Sequence, residues 1–345
     1  MKNNKNRLMW QLPFLTFLII ATTLIVRQKH NTPFQHDKGF VFGTVYGITY
    51  QCDSNLQKAI IAELDKVDMT MSMFNKKSVI SRINRGERID ISETMFEEIY
   101  EIAERISEDT DGAFDITVSP LVNAWGFGFK NAMMPTGQQV DSMLQFVGYE
   151  KIKLKKENGR TFVEKQDGRS MLDLSSIAKG YGCDRVARLL RSRGVTNFMI
   201  DIGGEIVASG TNEKKTPWKI GVTKPTDDSL NADGEIQTIL KITDKAMATS
   251  GNYRNFYYKD GKKYAHTIDP HTGYPVQHNI LSSTVIADNC TTADAYATAF
   301  MVMGLDKAKD VLARQPELMA YFIYTGKDGK DTVWYSQSMR DKIAE

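Results

Sequence analysis

Cysteine is scarce. Cys52, Cys183 and Cys290 are the only three in 345 residues, and no CxxC occurs. An odd, widely spaced set excludes a disulfide framework and a redox motif. The plain reading is small buried hydrophobes, with one pair still open to bridging. An excess of charge of one sign is also missing: 44 basic residues face 42 acidic ones, for a net charge of +2. Residues 1–32 hold Lys2, Lys5, Arg7, Arg27 and Lys29 and no acid, which leaves 39 basic against 42 acidic residues beyond them. That balance excludes the basic surface of a nucleic-acid binder. Nor is there a GxxxxGK[ST] phosphate loop, a GxGxxG fingerprint or an HExxH zinc motif.

Long hydrophobic runs are absent except for one. Residues 8–26, LMWQLPFLTFLIIATTLIV, carry no charge. A helix of that length, at about 1.5 Å per residue, spans roughly 28 Å, close to a bilayer core. Lys2, Lys5 and Arg7 favour an inside amino terminus, and Arg27 and Lys29 dilute the bias. The stretch reads as an uncleaved transmembrane signal anchor. The alternative is a cleaved signal peptide, but no small-x-small site follows Val26. The expected order is a basic segment over 1–7, the anchor over 8–26, a linker over 27–39 and an exported domain over 40–345. Either reading exports that domain, which then works without cytosolic ATP.

Along that domain, 40–52 reads as a strand pair or bent strand. Residues 54–70 are helical, with Leu56, Ile60, Leu64 and Val67 on one stripe. Residues 71–86 are irregular. A helix over 92–109, capped by Ser92, buries Phe96, Ile99, Ala103 and Ile106. The aromatic-rich 111–129 segment is too punctuated by Gly and Pro for one element and suggests a wall. A hairpin turns at Asn158-Gly159. A strand over 170–174 runs into a helix capped by Ser175 or Ser176 and ended at Gly194. Strand, double glycine and strand follow over 197–210, then several strand-like runs to 288, helices over 292–303 and 306–314, and a terminal pair over 319–325 and 331–336. Mixed helices with largely antiparallel hairpins make the class α+β.

Four places carry chemistry. Asp294 and Thr298 are one helical turn apart among alanines, half of an oxygen site for a hard metal beside a phosphate. The alternative is an ordinary helix carboxylate and a core threonine. Asp173 precedes a helix start at which Lys179 and backbone amides could hold phosphate. That segment also reads as a plain capped helix with a surface lysine. Gly203-Gly204 permits a tight turn or a close backbone approach. In His266-Thr267-Ile268-Asp269-Pro270-His271-Thr272-Gly273, His266 could serve as a base or hold phosphate, or be structural.

Taken together, DITVSPLVNAWGFG, DLSSIAKGYGCD, IDIGGEI, HTIDPHTG and TTADAYATA resemble the ApbE family of FAD:protein FMN transferases, in order, over about residues 40–330. The resemblance implies an ApbE-like mixed fold of largely antiparallel sheets and packed helices. It implies Mg2+-dependent transfer of FMN from FAD to a threonine hydroxyl by a phosphoester bond, with AMP released. Asp294 and Thr298 then match side-chain magnesium ligands, and Ser176 the ligand that uses its backbone carbonyl. Asp173, Lys179 and the Ala113-Phe114-Asp115 turn match FAD-contacting positions. His266 matches the histidine near the reacting phosphate, and Ile268 the ring wall beside it. Lys179 and Asp294 join His266 as the expected catalytic set. Phe42 and Phe74 stand where the family usually has Met-Gly-Thr and Met-Ser-Thr-Tyr or Trp, and keep an apolar surface for a flat ring. The family's lipid-attachment cysteine is missing, which leaves residues 8–26 as the tether. The implied partners are FAD, threonine-bearing subunits of membrane electron-transport complexes, and the membrane itself. The implied location is the inner membrane with the domain facing the periplasm. Two other readings remain: an FAD diphosphatase yielding FMN and AMP, and a non-catalytic periplasmic flavin-binding protein.

Overall fold

The structure, a computed structural model, describes residues 13–22, 32–128, 134–225, 235–253, 256–259 and 261–344. Alternating burial in β2 (Thr44–Gln51) pins it between β1 (Phe34–Val41) and β5 (Phe198–Ile202), with Tyr46, Ile48 and Tyr50 facing inward. The β1–β2 turn is Phe42-Gly43, both at positive φ (52° and 76°), the backbone of a tight hairpin turn. Residues 34–39, read above as the end of a linker, therefore lie in β1.

With β6 (Glu205–Ser209), β9 (Lys245–Gly251), β12 (Ile280–Ala287), β13 (Met319–Thr325) and β14 (Asp331–Tyr335), these strands form one eight-stranded sheet. Its order is β1-β2-β5-β6-β9-β12-β13-β14 and every neighbouring pair is antiparallel. One face packs against α7 (Ala178–Ser192) and α8 (Cys290–Met303), which bury Cys183, Val186, Leu190, Cys290 and Phe300 against it. The other face is covered by the ribbon of β7 (Trp218–Thr223) and β8 (Ile236–Ile242) through Trp218, Ile220 and Leu240. Nearly all of α8 is buried, which explains its lack of a polar stripe.

Residues 13–22 form α1, whose apolar side chains such as Phe14 and Leu15 are exposed; the helices that follow flank the core. α2 (Gln57–Met71) buries Ile60, Leu64 and Val67 as its stripe requires. α3 (Val79–Asn84), α5 (Ser119–Ala124) and α6 (Gly137–Leu144) lie where the sequence shows no long period. α4 (Met95–Asp109) is capped by Thr94, not Ser92; Ser92 instead accepts from the Thr161 amide at 2.8 Å. α9 (Leu305–Arg314) follows α8 at Gly304. β3 (Ile152–Glu157) and β4 (Arg160–Lys165) turn at Asn158-Gly159 as expected. β10 (Phe256–Lys259) and β11 (Lys262–Ala265) make a further ribbon. The result is an α+β fold of antiparallel sheets and packed helices.

Three further expectations change. Residues 170–174 form no strand: the Leu172 amide and carbonyl pair with the side chain of Asn84, and the Asp173 amide donates to the Ile116 carbonyl at 2.7 Å. Neither Ser175 nor Ser176 caps α7, whose N-cap is Ile177 with no side-chain bond. The transmembrane anchor, and with it the inner-membrane and periplasm-facing placement, is corrected as well. Among the described residues no helix is long and apolar enough to cross a membrane. Within 8–26 the described part is the ten-residue α1; the rest lies outside the described residues. Cys183 and Cys290 are buried free thiols and Cys52 a partly buried one.

Candidate active site

The amino-terminal ends of α7 and α8 meet and cap each other. α7 has no cap of its own, and the amide of Gly180 in its first turn donates to Oδ2 of Asp294 at 3.0 Å. In return Asp184, two turns into α7, accepts from the amides of Cys290 at 2.9 Å and Thr291 at 2.8 Å, the first residues of α8. Each carboxylate sits where orphan N–H groups and the helix dipole favour negative charge. Asn289 completes the α8 cap by accepting from the Thr292 amide. The approach is close because position 180 is glycine: a Cβ there would stand 2.4 Å from the Cys290 carbonyl oxygen and 2.9 Å from Asp294 Cβ.

Besides Asp184, three charged groups share this junction. Asp294 is only 3% exposed, and Glu205, at the start of β6, only 2%. Lys179 forms an ion pair with Oε1 of Glu205 and keeps 30% of its side chain open to solvent. Burial lowers the Lys179 pKa, but the carboxylates of Asp294 and Glu205 outweigh it, so its ammonium holds its proton more tightly than an ordinary lysine. Burial, helped by the charge of Asp294, pushes the Glu205 carboxyl up against the pull of Lys179. Burial likewise raises Asp294, opposed by Lys179 and the Gly180 amide. The double glycine makes room for this: Gly203 and Gly204 take φ of 67° and 100°, turning β5 sharply into β6 and placing Glu205 at the junction.

The other sequence-derived residues divide into groups. Ser176 is in the turn just before α7, partly buried. Thr298, one turn past Asp294, has its hydroxyl 3.2 Å from that of Ser250 in β9. Asp173 accepts from the amide and hydroxyl of Ser175 and so shapes the same turn. Through the Asp173–Ile116 bond that turn is joined to Ala113-Phe114-Asp115. Within the latter, Ala113 lines a cleft of about 340 Å³ with Asp109, Asp269 and His271, whereas Phe114 is buried in the core. Asp115 is buried beneath the 149–151 turn, accepting from Thr117 and from the Tyr149 amide; burial pushes its carboxyl up to about 6 against those donors. Phe42 packs over α7, its ring filling the space that a Cβ at Gly182 would enter. Phe74 is 80% exposed. Ile268 is buried with Leu121, Trp125 and Val140 and bridges to Pro275.

His266 follows β11 and meets Phe127 edge-on, with ring centroids 6.4 Å apart. Its neighbour Thr267 donates to Asn252 at 2.6 Å, two residues beyond the Ser250 that touches Thr298. This run of contacts ties the histidine segment to the end of β9. Phe127 also stacks on Tyr257, Tyr257 on Tyr264, and Tyr264 on Trp125, at 5.3–5.8 Å. The sequence marks the 111–129 half of this wall by its aromatic content and misses the half on β10–β11. It also misses Glu205; an acid placed directly after two glycines and opening an apolar strand is the signal that was available.

The expectation of a metal-binding site is corrected in kind. Among the described residues no group of three or more His, Cys, Asp and Glu side chains is placed to hold a metal ion. Asp294 is the single carboxylate among the three expected ligands.

Comparison with known proteins places this antiparallel α+β core among the flavin transferases. The chain belongs to the ApbE family, whose model matches residues 42–322. It is 34% identical over 323 residues to the FAD:protein FMN transferase of Escherichia coli (strain K12), covering 91% of this chain and 90% of that protein. The Haemophilus influenzae FAD:protein FMN transferase is 37% identical over 320 residues, 89% and 90% of the two chains. The solved flavin transferase ApbE from Vibrio cholerae superposes with a TM-score of 0.80 at 35% identity, covering 90% of this chain and 99% of that one. The apo flavinyl transferase ApbE of Pseudomonas stutzeri gives 0.79 at 27% identity, with 90% and 96% covered.

Proposed function

We propose that this chain is an FAD:protein FMN transferase that moves FMN from FAD onto a threonine hydroxyl of a target protein and releases AMP. The observation that carries the reading is the junction itself: Lys179 enclosed with Glu205 and Asp294 at paired helix starts, inside a chain that matches the family over nearly its whole folded length. FAD is the substrate. The Ser176 carbonyl, the Asp294 carboxylate and the Thr298 hydroxyl offer oxygen donors only, and the second oxygen of Glu205, Oε2, is buried without a hydrogen-bond partner among the described residues. That donor chemistry fits a hard cation such as Mg2+. When bound, such a cation would offset charge on the diphosphate.

The chain's own residues do the rest. Lys179, kept charged by its two carboxylates, lies against the diphosphate oxygens and stabilises the charge that spreads over them. The α7 amides add dipoles of the same sign. The acceptor threonine attacks the FMN phosphorus in line; its O–P bond forms as the bond to the AMP oxygen breaks. His266 takes the proton from the threonine hydroxyl. The stacked rings of Phe127, Tyr257, Tyr264 and Trp125 provide flat apolar surface for the flavin. Product analysis tests this: with FAD, Mg2+ and a threonine-bearing acceptor, AMP release should match FMN bound to protein. AMP release matched by free FMN, whether or not acceptor is present, would make the chain a diphosphatase instead.

A further inference from the structure

Glu205 is a buried acid to which the proposed transfer gives no direct part. It opens β6 after the double glycine, its Oε1 pairs with Nζ of Lys179, and its Oε2 is enclosed with no hydrogen-bond partner among the described residues. Leaving a buried polar atom unsatisfied costs on the order of 1–3 kcal/mol, and more for a charged group. Native folds rarely keep such an atom unless something outside the chain satisfies it. The neighbourhood narrows what that is. Asp184 is already occupied by donors of α8, and one oxygen of Asp294 by the Gly180 amide. Lys179 already pairs with Oε1 and faces Asp294 as well, so among the described residues no positive group is left for Oε2; the hydration shell of a divalent cation would supply a donor.

We propose that Glu205 is the second carboxylate of the cation site, its Oε1 fixing Lys179 and its Oε2 accepting from a water on the cation that Asp294 holds. This rests on the transfer reading above. It makes Glu205 a positioning residue: it acts through Lys179 and through the hydrated face of the ion.

The test is titration calorimetry of the full chain with MgCl2 alone, without FAD, on the wild type, Glu205→Gln, Glu205→Asp and Asp294→Asn. Glu205→Gln should weaken Mg2+ binding roughly 10- to 100-fold. The Mg2+ needed for half-maximal transfer should rise by the same factor, with the rate recovering at high Mg2+, and Glu205→Asp should fall between. Unchanged affinity in Glu205→Gln with binding lost in Asp294→Asn overturns the assignment and leaves the transfer reading standing. Unchanged affinity in both sinks the cation reading itself. A slower rate at unchanged Mg2+ affinity reduces Glu205 to a holder of Lys179 and also overturns the proposal. Should the glutamine variant fail to fold, wild-type crystals soaked in MnCl2 decide: the anomalous peak should lie about 4 Å from Oε2 with a water between. A peak out of reach of any shared water contradicts it.

Discussion

The α7–α8 junction and the β10–β11 ribbon carry the two halves of the proposed site. At the junction the ties are directional hydrogen bonds from backbone amides to carboxylates more than a hundred residues away, Gly180 to Asp294 and Cys290 and Thr291 to Asp184. On the ribbon the ties are ring stacks, Tyr257 on Phe127 and on Tyr264, with the Tyr257 hydroxyl donating to the Trp125 carbonyl at 3.3 Å. Directional bonds in a close-packed core hold atoms to a narrow position, as phosphoryl transfer in line requires. Stacked faces let a ring slide at little cost, and recognition of a flat heterocycle tolerates that. Substitutions at the junction should therefore cost rate or fold, and substitutions on the ribbon should cost affinity.

The largest effect belongs to Asp294. Asp294→Asn keeps an acceptor for the Gly180 amide but removes the charge, so the transfer rate should drop on the order of a thousandfold. Its thermal midpoint should stay within a few degrees, because removing a buried charge offsets the lost attraction to Lys179. Steady-state transfer and calorimetry check both; a rate near that of the wild type would remove Asp294 from the chemistry.

Next comes Gly180→Ala, whose Cβ would strike the backbone carbonyl of Cys290. Backbone cannot step aside as a side chain can, so about 3 kcal/mol of stability should be lost, measured by denaturant unfolding. Gly182→Ala is the control: its Cβ meets the ring of Phe42 at 2.7 Å, and a ring can move. If both cost the same, the junction is no more rigid than its surroundings.

Asp115 gives a pH-dependent effect. Its folded pKa is raised from 3.8 to about 6, chiefly by burial. Its stabilising contribution is therefore fully present below the unfolded value and is lost as pH rises through about 6. Between pH 4 and 6.5 the wild type should lose roughly 2–3 kcal/mol relative to Asp115→Asn. Parallel stability curves would show that the carboxyl titrates normally.

The smallest effect is expected on the ribbon. Tyr257→Ala removes two stacks, each worth about 0.5–1.5 kcal/mol. It should raise the KM for FAD while leaving kcat within about threefold, because the lost contact binds ground and transition states alike. A fall in kcat with unchanged KM would place the ring at the reacting phosphate and erase the contrast.

What was legible in the sequence follows the same divide. Strong periods showed most long elements: the apolar stripe of α2, the alternation of β2, the Asn158-Gly159 turn and the small-residue run of α8. Turn chemistry was less reliable, because local caps compete with tertiary ones. Ser175 and Ser176 look like caps for α7, yet the acceptor comes from Asp294, and no local pattern records a partner so distant in sequence. Ser92 is drawn off by Thr161 in the same way. The segment over 170–174 is apolar enough for a strand, but its polar backbone groups are taken by the Asn84 side chain and Ile116. The residues with chemistry were visible through the family resemblance. Glu205 stands in the IDIGGEI motif with no role that the sequence assigns, because its meaning lies in an oxygen left unpartnered among the described residues, which only the packing reveals.

The most direct test of the account is the intact mass of an acceptor protein after incubation with this chain, FAD and Mg2+, run beside an acceptor whose threonine is replaced by valine. One FMN phosphoester increment on the threonine acceptor and none on the valine form is the expected result. Consumption of FAD with no increment on either, or an equal increment on both, would contradict it.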